Sequence, residues 1–112
     1  MIIRSTLVTL AAATLTTAAS AQVLQEKNLS LTLATEIAQQ TIQACSASGY
    51  NVAVTVVDRS GIARAMLRAD HAGLHTVDAS QRKAYTALST KTPTGTLATN
   101  LQKNPAAAQM TA

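Results

Sequence analysis

The stretch Gly49-Tyr-Asn-Val-Ala-Val-Thr-Val-Val-Asp-Arg-Ser-Gly-Ile-Ala-Arg-Ala-Met-Leu-Arg-Ala-Asp70 decides how this chain is read. Its first half, residues 52–58, is β-branched and nearly all apolar, the pattern of a strand covered on both faces. Asp58-Arg59-Ser60-Gly61 then supplies turn chemistry, with Gly61 free to take the positive φ of a bulged hairpin. The returning strand, residues 62–69, alternates: Ala63, Ala65 and Leu67 fall on one side, and Arg64, Met66 and Arg68 on a side that is partly solvated or lines a site.

Working outward, residues 30–48 place Leu33, Ala34, Ile37, Thr41, Ala44, Cys45 and Ser48 on one face of a helix. Ser30 or Thr32 can cap its start, and Gly49 suits the left-handed position past its end. After the hairpin, Asp70-His71-Ala72-Gly73 breaks the strand, and a second helix is predicted from His75 to Ser89. Val77, Gln81, Ala84 and Leu88 form its expected inner face, with His75, Asp78 and Arg82 aligned on another. Thr92-Pro93 signals a third, shorter helix, Thr92 as cap and Pro93 at its first position, and Asn104-Pro105 signals a final turn. The expected class is α+β, helices packed on an antiparallel sheet. A lone two-stranded hairpin is marginal, however, and an apolar strand expects a neighbour on its open edge. None is predicted after Ala69.

The N-terminus reads as a secretory signal over residues 1–21: one cation, Arg4, an apolar stretch from Leu7 to Leu15, and Ala19-Ser20-Ala21 before Gln22. A periplasmic or secreted protein is therefore expected, cleaved after Ala21. The apolar stretch falls short of the ~20 residues that a membrane span needs, so none is expected. Residues 22–112 remain as one small domain, with eight cations against five anions. Of its 40 apolar residues 17 are alanine, with no Trp or Phe and only Tyr50 and Tyr85, so the core is thin and help from a second copy, a homo-oligomer, is expected. Scattered cations and absent aromatic platforms argue against nucleic acid as a partner. The single cysteine, Cys45, permits no internal disulfide and no multi-cysteine metal site.

Two groups could carry chemistry. His71 and His75 are the only imidazoles and both fall at the junction of the second strand and second helix. Either they are exposed side chains without a ligand, or one of them holds a metal; His75 is the preferred ligand, with Asp78 one turn on as the acceptor for its other ring nitrogen. Arg64, Arg68, Arg82 and Lys83 either form a solvated surface or hold the carboxylates of a small acid or cofactor. Met66 and Tyr85 are core fillers or contacts to a bound ligand. No nucleophile elbow, phosphate loop or zinc-protease motif is present.

The hairpin, the helix Leu33–Cys45 before it and the segment His71–Thr94 after it together resemble the GlcG/HbpS family of small haem-associated proteins, which has exported members. The resemblance covers residues 29–110 and rests most on Val56-Val57-Asp58-Arg59-Ser60-Gly61, Arg68-x-Asp70, Lys83-Ala84-Tyr85-Thr86-Ala87 and Thr92-Pro93-Thr94. It implies helices on an antiparallel sheet of about five strands, assembled as a higher oligomer, and a haem or related small cofactor as ligand, with His75, His71, Arg68, Arg82 and Lys83 as candidate contacts. It also implies that the C-terminal strands and last helix are missing from this chain, which looks like the first two-thirds of a family domain, and that Cys45 lacks a C-terminal cysteine partner. Three readings follow: a haem-binding or related cofactor-binding protein, an enzyme-like domain acting on a small organic acid or in haem degradation, or a truncated fragment with no independent activity.

Overall fold

A computed structural model describes residues 21–108, in the order α1 (Leu31–Ala47), β1 (Ala53–Val57), β2 (Ala63–Arg68), α2 (His75–Thr90), α3 (Thr94–Lys103) and α4 (Pro105–Ala108). The secretory-signal reading falls on residues outside this range apart from Ala21. No helix among the described residues is long and apolar enough to cross a membrane.

The hairpin forms as its turn residues dictate. Strands β1 and β2 pair antiparallel, with Val54 opposite Leu67 and Thr55 opposite Met66, and the register slips between Val56 and Val57. Asp58 organises the turn. Its backbone N–H donates to Ile62 O at 2.8 Å, its carbonyl accepts from Gly61 N at 2.9 Å, and its carboxylate Oδ1 accepts from the N–H groups of Ser60 at 2.9 Å and Ile62 at 3.1 Å. Gly61 holds φ at +81°, where a side chain is strained, and a Cβ there would also meet the Tyr85 ring at 3.0 Å. Arg59 ties the turn to the segment before α1, pairing with Glu26 at 3.2 Å and donating to Lys27 O at 3.1 Å.

Helix α1 starts on Ser30, whose hydroxyl accepts from Leu33 N at 3.2 Å, and ends at Gly49, with φ +82°. Its covered face is rotated from the expected one. Ala34 and Ala38 are fully buried and Thr41, Ile42 and Cys45 half-buried, while Leu33 and Ile37 are exposed. Small alanines let the helix approach β1 and β2 closely, and the wider apolar stripe spills onto the surface. Helix α2 packs mainly on β1 and barely touches β2. A hydrogen bond of 2.7 Å between Thr55 Oγ1 and Ser80 Oγ fixes the contact. The odd-numbered residues of β1 therefore face α2 and the even-numbered Val54 and Val56 face α1, so the strand is covered on both sides as its composition requires.

Ser80 rather than Gln81 belongs to the inner face of α2; Gln81 is exposed. Helix α3 begins one residue later than expected. Pro93 is extended at ψ 136° and its carbonyl receives the first helical bond, from Leu97 N at 3.0 Å. The thin core is evident: among described residues only Ala34, Ala38 and Ala72 are buried apolar residues, and no large side chain is fully buried. The sheet has two strands among the described residues, which leaves β1 with an open edge.

Candidate functional site

The residues expected to carry chemistry separate into two grooves. His75 and Lys83 stand two turns apart on α2, and with Thr76, Ala79 and Ser80 they face Val52 and Ala53 at the start of β1. The spacing of 75, 79 and 83 is what brings them together, since positions four apart share a helix face. The groove holds about 190 Å³ and its lining is mostly apolar. Gly73 makes room for the imidazole: a Cβ at that position would meet the His75 ring at 2.8 Å. Among the described residues neither ring nitrogen of His75 has a hydrogen-bond partner and the Lys83 ammonium has no carboxylate.

Asp78 does not serve His75. It forms an ion pair with Arg82, one turn on along the exposed face of α2. His75 lies within reach one turn back, but the Arg82 guanidinium takes the carboxylate, and neither Asp78 nor Arg82 lines the groove.

His71 lies elsewhere. It adopts φ +66°, a left-handed backbone that histidine tolerates better than most side chains, and this directs the chain away from the His75 groove. With Asp70, Asn51 and Ser46 it borders a polar depression of about 480 Å³ against the end of α1. Arg68 stands between the two places. It borders the polar depression, yet its register partner is Ala53, which puts its side chain on the α2 face of the sheet, where Nη1 donates to Ala72 O at 3.1 Å. Met66 and Tyr85 are exposed rather than core fillers.

A third depression, about 360 Å³, runs along β1 itself. Four consecutive residues, Val52 to Thr55, line it together with Thr41 and Cys45 of α1 and with Ser80, Lys83 and Ala84 of α2. Consecutive strand residues point to opposite faces, so a space that touches them all, and the helices of both faces, lies at the open edge of the strand. Thr41, Ser80 and Ala84 carry no chemical signature in the sequence. Only the helical spacing from Lys83 could have pointed to Ala79 and Ser80.

The His75 groove offers one unclaimed imidazole and one cation without a carboxylate partner among the described residues, beside the apolar Val52, Ala53 and Ala79; an imidazole can ligate a metal and an ammonium can hold a carboxylate. A family model described as "Haem degrading protein HbpS-like" matches residues 29–112. The chain belongs to the HbpS-like family. Two solved structures are similar to it: a double Glu-to-Asp variant of HbpS from Streptomyces reticuli, 40% identical over 74% of this chain with a TM-score of 0.68, and HbpS, 38% identical over 75% with a TM-score of 0.69. The HbpS-like chain described here spans 57% and 60% of the length of those two. No curated protein matches it. The α+β expectation, helices packed on an antiparallel sheet, agrees with this likeness, and the family description associates the fold with haem.

Proposed function

We propose that this HbpS-like protein binds haem, or a closely related small cofactor, in the groove between β1 and α2. The observation that carries the reading is the pairing of His75 with Lys83 on apolar walls, against the polar surroundings of His71. His75 is the residue to ligate the iron and Lys83 the one to hold a propionate, whereas Arg68 borders the His71 depression and is tied to Ala72 O. Val52, Ala53 and Ala79 would supply the apolar contact to one edge of the ring system. Bound there, haem supplies redox and ligand-exchange chemistry; the chain itself supplies binding and orientation.

Titrating the purified chain with hemin checks this. A saturable Soret shift at one equivalent is expected, weakened by Lys83→Gln. No shift at stoichiometric protein overturns the proposal.

The same proposal includes export and self-association. Arg4, the apolar stretch to Leu15 and Ala19-Ser20-Ala21 support secretion across a membrane, so expression of the whole chain should yield a periplasmic or secreted product whose N-terminus is Gln22; a product that keeps Met1 in the cytoplasm contradicts it. Exposed Leu31, Leu33 and Ile37 on α1 and the alanine-only core support assembly of several copies. Sedimentation at rising concentration should show species larger than the monomer.

A further inference from the structure

Among the described residues, the segment before α1 is held from Glu26 onward. Arg59 of the hairpin turn pairs with Glu26 at 3.2 Å and donates to Lys27 O at 3.1 Å, and Asn28 Oδ1 accepts from Leu29 N at 2.8 Å just ahead of the Ser30 cap. Upstream of that latch residues 22–25 are exposed, Val23 and Leu24 at 82% and 83%, and none of the four makes a hydrogen bond among the described residues.

Cleavage after Ala21, the export reading on which this inference rests, makes Gln22 the first residue of the exported chain. The new α-amine and the Gln22 carboxamide carbon Cδ can then close a five-membered ring. An α-amine is less basic than a lysine ammonium, so at neutral pH part of it is an uncharged nucleophile. Attack within one residue is intramolecular and needs no second reactant. On a folded chain it requires only that the two ends of Gln22 be free to meet. Nothing here holds either end, because the carboxamide has no partner among the described residues and the latch begins four residues on, at Glu26.

We infer that Gln22 of the exported chain is a modification site that closes on itself to pyroglutamate. The α-nitrogen forms a bond to Cδ, the Cδ–Nε2 bond breaks, and Nε2 leaves as ammonia with the proton that the α-nitrogen gives up. No electrons are exchanged, and ammonia is the only product besides the ring. The lactam is neutral, so the chain loses its terminal ammonium and the free α-amine that an aminopeptidase requires. Exposed termini are where proteolysis starts, and the ring therefore blocks trimming toward Glu26 and its pairing with Arg59.

The test is intact-mass spectrometry of the whole chain expressed with residues 1–21 and recovered after export, with the N-terminal peptide sequenced by fragmentation. A chain 22–112 lighter by one ammonia, ~17 Da, with the loss located on Gln22, is expected. Any open form in the fresh product should convert on standing at neutral pH at the rate of the free peptide Gln-Val-Leu-Gln-Glu-Lys-Asn, within about twofold, because the fold does not hold Gln22. Gln22→Asn, cut at the same bond, should keep its full mass, since closure from asparagine needs a four-membered ring, and should be shortened by an aminopeptidase that leaves the parent intact. A chain 22–112 whose Gln22 is still open once the free peptide has fully converted overturns this inference and leaves the export reading standing. A product that begins at any other residue overturns both.

Discussion

Replacing Asp58 tests the hairpin on which the whole arrangement stands. Asp58 is 8% exposed, and its carboxylate accepts two backbone hydrogen bonds that close the turn, from Ser60 at 2.9 Å and Ile62 at 3.1 Å. A hydrogen bond to a charged group contributes about 1.5–3 kcal/mol. Ser60 is exposed, so in Asp58→Ala water can satisfy much of its N–H, and the net loss should be about 2–3 kcal/mol rather than twice the single-bond figure. Asn keeps an acceptor at the same place without the charge and suits such turns, so Asp58→Asn should cost about 1 kcal/mol. Against a total stability of about 5–15 kcal/mol for a domain, the first change is severe. In a thermal melt followed by circular dichroism, at about 4–8 °C per kcal/mol for a domain of this size, Asp58→Ala should melt ~10–20 °C lower and Asp58→Asn ~4–8 °C lower. Equal losses for Ala and Asn, or an Ala variant within ~0.5 kcal/mol of the parent, would refute the claim that the carboxylate organises this turn.

Gly61→Ala should cost about 1–2 kcal/mol in the same melt, because φ is +81° and the new methyl meets the Tyr85 ring. Ala38→Leu should cost about 1–3 kcal/mol by overpacking a fully buried site, whereas Leu33→Ala, on the exposed part of the same helix, should cost less than ~1 kcal/mol. Ser80→Ala should lose about 1 kcal/mol with its bond to Thr55, and Gln81→Ala should stay within ~0.5 kcal/mol; urea titration separates them, and a reversal would mean that α2 is rotated. Gly73→Ala should leave the melt nearly unchanged but displace the His75 ring, weakening hemin binding in a Soret titration.

The hairpin was legible because its determinants are local: four apolar residues around Thr55 in β1, an Asx turn, and Gly61 where the turn needs a positive φ. The ends of α1 were legible for the same reason, with Ser30 and Gly49 acting through their own backbone neighbours. Which face of α1 is covered was not. Leu33 and Ile37 are more apolar than Ala38, yet close approach to a sheet favours the smaller side chain, and that preference exists only once the strands are in place. Gln81 and Ser80 exchange roles for a similar reason, since the Thr55 hydroxyl selects its partner across the interface. His71 and His75 look like one site in sequence, but the left-handed turn at His71 sends them to different grooves. Asp78 looked like a partner for His75, but the arginine one turn on claims it.

The two histidines also provide the most direct test of the cofactor site. Hemin titrations of His75→Ala and His71→Ala, compared with the parent chain by Soret absorbance, ask which groove holds the ligand. Loss of the saturable shift in His75→Ala, with His71→Ala binding as the parent does, is the predicted result. Retained binding in His75→Ala, or loss in His71→Ala alone, would contradict the assignment of the groove between β1 and α2.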